Sequence, residues 1–262
     1  MKQENLIERS QKLVYEDLNF DYFKENPLSE DVLRALRYFL DIENHTSCYL
    51  RDILATPFHR DPEITAFLSV WGYEEYFHSV AIGEILRVHG QDPFTRIKNL
   101  RQNLSMFESL RPALFCLTSK IVNFFPALHM SWGAINEVST QVGYERLSKK
   151  ANNAILTELF ARIMRQEGRH LAFYKAKATE LLENSPKLQI KVRKTLKHFW
   201  KPVGLSVEGK KEAMFLAQFL FSDEQGINAA KRVDNLIASI PGLENINLFQ
   251  NSLRRLLTLK AA

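Results

Sequence analysis

Apolar residues recur every three or four positions through four long stretches of the chain, and this spacing is typical of one face of an α-helix. The four helices predicted from it cover about residues 29–54 (helix A), 62–89 (helix B), 126–150 (helix C) and 153–182 (helix D). Ser29 suits an N-cap position, and Gly90 suits the residue that ends helix B. Long helices with few internal breaks predict an antiparallel bundle.

Shorter helices are predicted around this set. One runs from about Pro112 to Phe124, because the first turn of a helix tolerates proline. After Pro186 the chain predicts three or four shorter helices, with breaks at Gly204, at Gly226 and at Pro241-Gly242. No strand pattern competes with these helices, so the predicted fold class is all-α. We expect a single domain over residues 1–262, with a four-helix bundle at about 29–182 and accessory helices in 1–28 and 183–262.

Composition supports a globular helical protein. The chain has 262 residues, of which 45% are hydrophobic and 25% charged, and it contains only 10 Gly and 9 Pro. Its two cysteines, Cys48 and Cys116, do not make a disulfide framework. Its N-terminus has no apolar signal core, and the most apolar stretch, 113–130, is interrupted by Lys120 and Pro126. We therefore expect a cytoplasmic protein with no membrane span.

The net charge of +5 suggests affinity for an acidic partner without naming one. No dense basic block stands out, and we expect no nucleic-acid partner. The most basic stretch runs from Lys187 to Lys197. It is interpreted first as a solvated helix face, and alternatively as a docking patch for an acidic protein.

Glutamates interrupt the inward apolar faces of all four long helices near their middles. On helix A this face is predicted to run through Leu40, Glu43 and Ser47. On helices B and D a histidine follows the glutamate three residues later, on the same face. The six residues, in chain order, are Glu43, Glu75, His78, Glu137, Glu167 and His170.

Four carboxylates that face one core are untenable as unpaired anions. Two divalent or trivalent metal ions remove this problem, and four carboxylates with two neutral imidazoles supply ligands for both ions. Glu43 precedes Glu75 by 32 residues, and Glu137 precedes Glu167 by 30. This similar spacing predicts two related helix hairpins about a pseudo-twofold axis, with one metal centre between them.

Other residues near this pattern have ordinary interpretations. The remaining histidines are expected to be surface or packed residues: His45, His59, His89, His129 and His198. Gly133 lies one turn before Glu137 and either leaves space for oxygen or substrate, or makes a helix-packing contact. The 18 phenylalanines either line an acyl-chain tunnel or fill the core.

The pattern resembles the ferritin-like diiron-carboxylate oxidases, and above all the soluble acyl-acyl-carrier-protein (acyl-ACP) desaturases. The resemblance covers about residues 29–182. It rests on Glu137-Val-Ser-Thr140, in which a threonine follows the helix C glutamate, and on Glu167-Gly-Arg169-His170. Gln166 departs from the family, which usually carries an acid there.

The resemblance implies two iron ions, with Glu75 and Glu167 as bridging ligands. Glu43 and His78 would complete one iron, and Glu137 and His170 the other, with Thr140 positioning oxygen or relaying a proton. It further implies O2 as co-substrate, an acyl chain on acyl carrier protein, a ferredoxin-type electron donor and a homodimer. Glu74 and Gln166 would be outer partners of the ligating histidines.

Three alternatives stay open. Aldehyde-deformylating oxygenases share the order of ligands and a similar length. An iron-handling ferritin relative would use related ligands without this chemistry, and a manganese–iron or two-manganese centre would use the same ligands. Arylamine N-oxygenases are disfavoured, because they carry a third histidine where this chain has Ile163.

Overall fold

Every regular element within residues 10–102 and 106–258, which the computed structural model describes, is a helix. This confirms the all-α fold class. The chain contacts divide into two compact units, residues 1–123 and 124–262. In the first unit the helices are α1 (Tyr22–Glu25), α2 (Glu30–Leu54), a 3-10 turn (Pro57–Arg60), α3 (Pro62–Val88), α4 (Pro93–Gln102) and α5 (Met106–Ile121). In the second they are α6 (Phe125–Ala151), α7 (Ala154–Leu182), α8 (Pro186–Phe199), α9 (Leu205–Phe221), α10 (Glu224–Ile237) and α11 (Leu248–Thr258).

Helices α2 and α3 form the main packed pair of the first unit. The Ser29 side chain caps α2 by accepting a hydrogen bond from Val32 N, and Asp61 caps α3 in the same way through Ile64 N. The facing stripes bury residues such as Leu40 and Ile82 completely. Capping therefore fixes where each helix begins, and the apolar stripes fix which face turns inward.

Helices α6 and α7 form the corresponding pair of the second unit. The turn between them is short, because Asn152 adopts the left-handed conformation (φ 46°) that ends α6 and the next residue, Asn153, caps α7 through Leu156 N. Tyr144 and Phe160 meet in the core of this hairpin, with ring centroids 4.9 Å apart. Helices α8 to α11 pack beside it.

Three local predictions are wrong. Pro112 lies inside α5 rather than at its start, and Gly226 lies in the first turn of α10 rather than at a break. A Cβ on Gly226 would lie 2.5 Å from Phe221 Cα, so the glycine allows close backbone approach. Ser47 is exposed instead of facing inward, and its hydroxyl accepts a hydrogen bond of 2.7 Å from Arg101 Nη2.

No helix in the described part of the chain combines the length and the apolar character that a membrane crossing requires. The Lys187–Lys197 stretch forms most of α8, where Val192 and Leu196 are buried while several lysines are exposed. That arrangement matches the predicted solvated helix face.

Candidate metal centre

Glu43, Glu75 and His78 come together in the first unit. Glu43 lies on α2, and Glu75 and His78 lie one turn apart on α3. Each offers a ligand atom, and these atoms lie within 4.8 Å of one another. His78 Nδ1 is 3.4 Å from Glu43 Oε2, and both side chains are fully buried. The predicted half-site on helices A and B is therefore formed within this unit.

Glu137, Glu167 and His170 make a matching trio in the second unit. Glu137 lies on α6, and Glu167 and His170 lie one turn apart on α7. Their ligand atoms also lie within 4.8 Å of one another. His170 Nδ1 is 3.4 Å from Glu137 Oε2 and 3.6 Å from Glu167 Oε2. Both hairpins thus present two carboxylates and one imidazole at the middle of their apolar faces.

Without a cation, the two buried carboxylates of the second trio, Glu137 and Glu167, disfavour each other's charged form. Burial raises the pKa of Glu137 well above its ordinary value, and the nearby charge of Glu167 raises it further. A bound cation would reverse this balance, because it favours the charged form of both side chains. The trio could therefore hold a cation, which would offset the repulsion between its two buried carboxylates.

The buried acids of the described residues fall into two groups. Four of them are bonded to arginines, to backbone amides or to the N-terminal segment: Asp41, Asp52, Glu74 and Asp234. The other four are the glutamates of the two trios, each of which lies beside a histidine. Only the second group has the donor set of a metal site.

Asp41 and Asp52 were missed by the sequence argument. Both are buried on α2, and they pair with Arg96 of α4 and Arg111 of α5 respectively. Arg51 Nη2 adds a second contact of 2.7 Å to Asp52. Since arginine side chains neutralise them, these carboxylates hold α4 and α5 against α2 and need no metal ion.

Glu74 binds the segment that precedes α1. Its Oε1 accepts hydrogen bonds from the Ser10 hydroxyl, at 2.9 Å, and from Gln11 N, at 3.2 Å. The side chain is buried next to the ligand Glu75. The predicted outer partner of a histidine thus anchors the N-terminal segment to α3.

Thr140 and Ile163 occupy the places that the sequence assigned to them. Thr140 is buried on α6, three residues after Glu137. Ile163 is fully buried on α7, one turn before Glu167, so an apolar side chain stands where a third histidine would be needed. Among the described residues, the clusters of convergent metal-binding side chains include His78 and His170 but none of the other five histidines.

Gly133 makes a packing contact. A Cβ at this position would lie 2.4 Å from Cδ1 of Tyr174, so the tyrosine ring fills the space beside the glycine. Tyr174 is fully buried on α7, one turn after His170. The alternative that Gly133 leaves room for oxygen or substrate is therefore not needed to explain it.

The donor set of the two trios fits iron. Carboxylate oxygens and neutral imidazoles are ligands of non-haem iron and manganese, and Glu-x-x-His pairs on facing helices are the arrangement of di-iron carboxylate proteins. All six side chains are buried, so bulk water would not compete with them for a bound ion. Together the trios could supply four carboxylates and two imidazoles.

The comparison with protein families agrees with this chemistry. Residues 58–241, more than two thirds of the chain, match the model of the fatty acid desaturase family. The matched range contains five of the six predicted ligands, and Glu43 precedes it. A search of curated proteins gives no match. The extent of the family match, together with the two buried Glu/His trios, shows that this chain belongs to the fatty acid desaturase family.

Proposed function

We propose that this protein is an O2-dependent diiron oxidoreductase that desaturates an acyl chain carried on acyl carrier protein. The observation that carries the proposal is the pair of buried trios, each with two carboxylates and one histidine within 4.8 Å. Family membership supports an acyl substrate. Two trios of this composition would provide enough ligands for two irons, and Glu75 and Glu167 would be the carboxylates shared by both.

The two irons supply, when bound, the reduction of O2 and the removal of hydrogen from unactivated C–H bonds. In the overall reaction two hydrogens leave adjacent carbons of the acyl chain. O2 accepts them together with two electrons and two protons, and two waters form. These two further electrons come from outside the acyl chain, and the proposal includes an external donor of the ferredoxin type.

The protein side chains have defined tasks in this scheme. Glu43 and His78 would hold one iron, and Glu137 and His170 would hold the other. Burial of all six ligands excludes water, which would otherwise quench reactive species. Thr140, one turn from Glu137, positions oxygen or passes a proton through its hydroxyl group. The same proposal includes a ferritin-like single domain, a homodimer and a cytoplasmic location.

The deciding experiment combines metal analysis and product analysis of the purified protein. We expect two irons per chain, an optical spectrum typical of a diiron centre, and an unsaturated product from acyl-ACP with reductant, ferredoxin and O2. Glu167→Ala should lose at least one iron and all turnover, because it removes a shared ligand. Glu145→Ala is the matched control on α6, since Glu145 binds Lys149 and Arg232 instead.

Other outcomes of these measurements would contradict separate parts of the proposed function. Two irons retained in Glu167→Ala would refute the ligand assignment. Manganese in place of iron would change the metal but keep the ligands. Alkane and formate as products would replace desaturation with aldehyde deformylation, and a loaded centre that turns over no acyl-ACP would refute the carrier-bound substrate.

A further inference from the structure

A pocket of about 320 Å³ lies in the second unit, where the end of α8 meets the loop before α11 and α11 itself. Its lining carries two cationic side chains and several neutral hydrogen-bonding groups. The residues that the argument uses are Lys197, Trp200, Asn247, Asn251, Ser252 and Arg255. No carboxylate is among its lining residues in the described part of the chain. The pocket is therefore suited to an anion.

The walls of this pocket are fixed by contacts outside it. Trp200 is buried, and its indole N–H donates a 3.2 Å hydrogen bond to Asn136 on α6. Arg193 Nη1 donates to the carbonyl oxygens of Gly242 and Glu244, at 3.0 and 2.7 Å, and so holds the loop. A pocket with fixed walls binds its ligand without a large ordering cost.

Two asparagines in this loop adopt left-handed backbone conformations, Asn245 with φ 53° and Asn247 with φ 48°. Such conformations are uncommon outside glycine and are often found at ligand sites. Here they turn the chain sharply between Leu243 and the start of α11, and both asparagines line the pocket. The loop thus contributes two amide side chains to the pocket that the two cations also line.

The attraction for an anion comes from side chains rather than from the helix end. The first amides of α11 are already occupied, because Asp234 accepts hydrogen bonds from Phe249 N and Gln250 N at 2.9 and 3.0 Å. These bonds compensate the buried Asp234 charge. Lys197 and Arg255 therefore supply the positive potential, and both are exposed enough to reach a ligand from solvent.

We propose that this pocket binds a phosphate ester. A phosphate group offers several acceptor oxygens and at least one full negative charge, which matches one ammonium, one guanidinium and the neighbouring amide and hydroxyl donors. The face of Trp200 and the apolar side chains of the loop give the organic part of the ester a surface to pack on. The lining contains none of the predicted metal ligands. If the ester belongs to an acyl carrier protein, the pocket rests on the proposed function; if it belongs to a small molecule, it does not.

The phosphate has two candidate sources. One is a small phosphorylated molecule, and the other is the phosphodiester of the prosthetic arm of an acyl carrier protein. The test titrates the iron-loaded full chain, by calorimetry, with inorganic phosphate, with 4′-phosphopantetheine and with pantetheine that lacks the phosphate. We expect the two phosphate-bearing probes to bind and pantetheine to fail.

Matched variants locate the site. Lys197→Gln and Arg255→Gln should each weaken phosphate binding by about tenfold or more, because each removes a charge-assisted hydrogen bond. Lys194→Gln on α8 and Arg254→Gln on α11 change the net charge equally. Both lie outside the lining and should bind as the wild type does. Bound phosphate should also slow hydrogen–deuterium exchange in residues 245–252.

The outcomes are distinct. Tighter binding of 4′-phosphopantetheine than of inorganic phosphate supports the proposal with a pantetheine arm as source, and equal or weaker binding supports it with a small phosphorylated molecule. Absence of binding by both phosphate probes overturns it. Equal weakening by all four variants also overturns it, since net charge alone would then explain the affinity. Failure of the desaturase assay does not affect these results.

Discussion

His129 is a buried histidine on α6, eight residues before the proposed ligand Glu137. Its ring stacks on Phe125, with centroids 6.4 Å apart, and meets the edge of Tyr174 at 6.0 Å. Burial lowers the pKa of His129 to about 3, because the charged imidazolium would lose its hydration. The side chain is therefore neutral in the folded protein at and above neutral pH.

This burial predicts a loss of stability in acid. Between the ordinary histidine pKa of 6.5 and about 3, the unfolded chain binds a proton at His129 and the folded chain does not. The stabilisation is complete above pH 6.5 and decreases as the pH falls. His129→Gln should make the unfolding free energy less steep between pH 6 and 4, by up to about 1.4 kcal/mol per pH unit.

Denaturant unfolding at several pH values measures this slope. His198→Gln is the control, because His198 is exposed on α8 and its substitution should leave the slope unchanged. Equal slopes for the wild type and His129→Gln would contradict the prediction.

Sequence reasoning at the residue scale succeeded where a pattern was local. Glu75 and His78, like Glu167 and His170, share one helical face whatever the rest of the chain does, so each pair was predictable. The burial of Asp41 and Asp52 was not, because their partners Arg96 and Arg111 lie 55 and 59 residues away. The pocket at Lys197 and Arg255 was not predicted either, because its lining residues are also far apart in the sequence.

At the scale of elements, a single arginine joins three helices of the second unit. Arg146 on α6 is almost completely buried. Its guanidinium donates to the Leu220 carbonyl at the end of α9, to Gln225 on α10, and with two bonds of 2.7 Å to Asp223, the N-cap of α10. The hydrogen bond from Lys150 lowers the pKa of Asp223 to about 2.

Removal of this arginine should loosen the junction. Arg146→Leu removes the donor to the buried Leu220 carbonyl and to the Gln225 side chain. Asp223 keeps its ion pair with Lys150 and its contact with solvent. We expect a loss of about 2–3 kcal/mol in the free energy of unfolding. Urea denaturation followed by circular dichroism measures it.

A second arginine between the same helices provides the control. Arg232 on α10 binds Glu145 on α6, but its side chain is 53% exposed. Arg232→Leu should therefore cost about 0.5 kcal/mol or less. If both variants lose the same free energy of unfolding, burial of Arg146 does not explain its contribution to stability.

Element boundaries show why some helices were predictable. Helices α2, α3 and α7 begin after side-chain caps, and α6 has Pro126 in its first turn. All four carry long apolar stripes, and their observed ends lie within one or two residues of the predicted ones. Helix α4 was missed because its mean hydropathy is low and it is held by tertiary contacts with both α2 and α3. Gly226 was interpreted as a break and Pro112 as the start of a helix, but both lie within helices in the folded chain.

For the whole molecule, metal loading and stability should be coupled. Each unit contains one trio of buried ligands, so cation binding stabilises the folded chain relative to an unfolded chain that lacks these sites. Without bound ions, the buried carboxylates repel one another. Metal-free protein should consequently melt at a lower temperature than iron-loaded protein.

The difference in melting temperature between iron-loaded and metal-free protein should increase with pH. In metal-free protein the pKa of Glu137 is raised by burial and by Glu167, so its contribution to stability is complete below the ordinary value of 4.5 and is lost as the pH rises through the folded pKa. In loaded protein the cation holds Glu137 in its charged form, and this loss does not occur. The gap in melting temperature between loaded and metal-free protein should therefore widen from pH 5.5 to pH 8. Differential scanning calorimetry at several pH values measures this difference in melting temperature. Glu137→Gln is the comparison variant, because its metal-free form lacks the titrating carboxylate. If the difference stays constant or narrows in the wild type, the Glu137 carboxylate does not oppose folding in the absence of its ion.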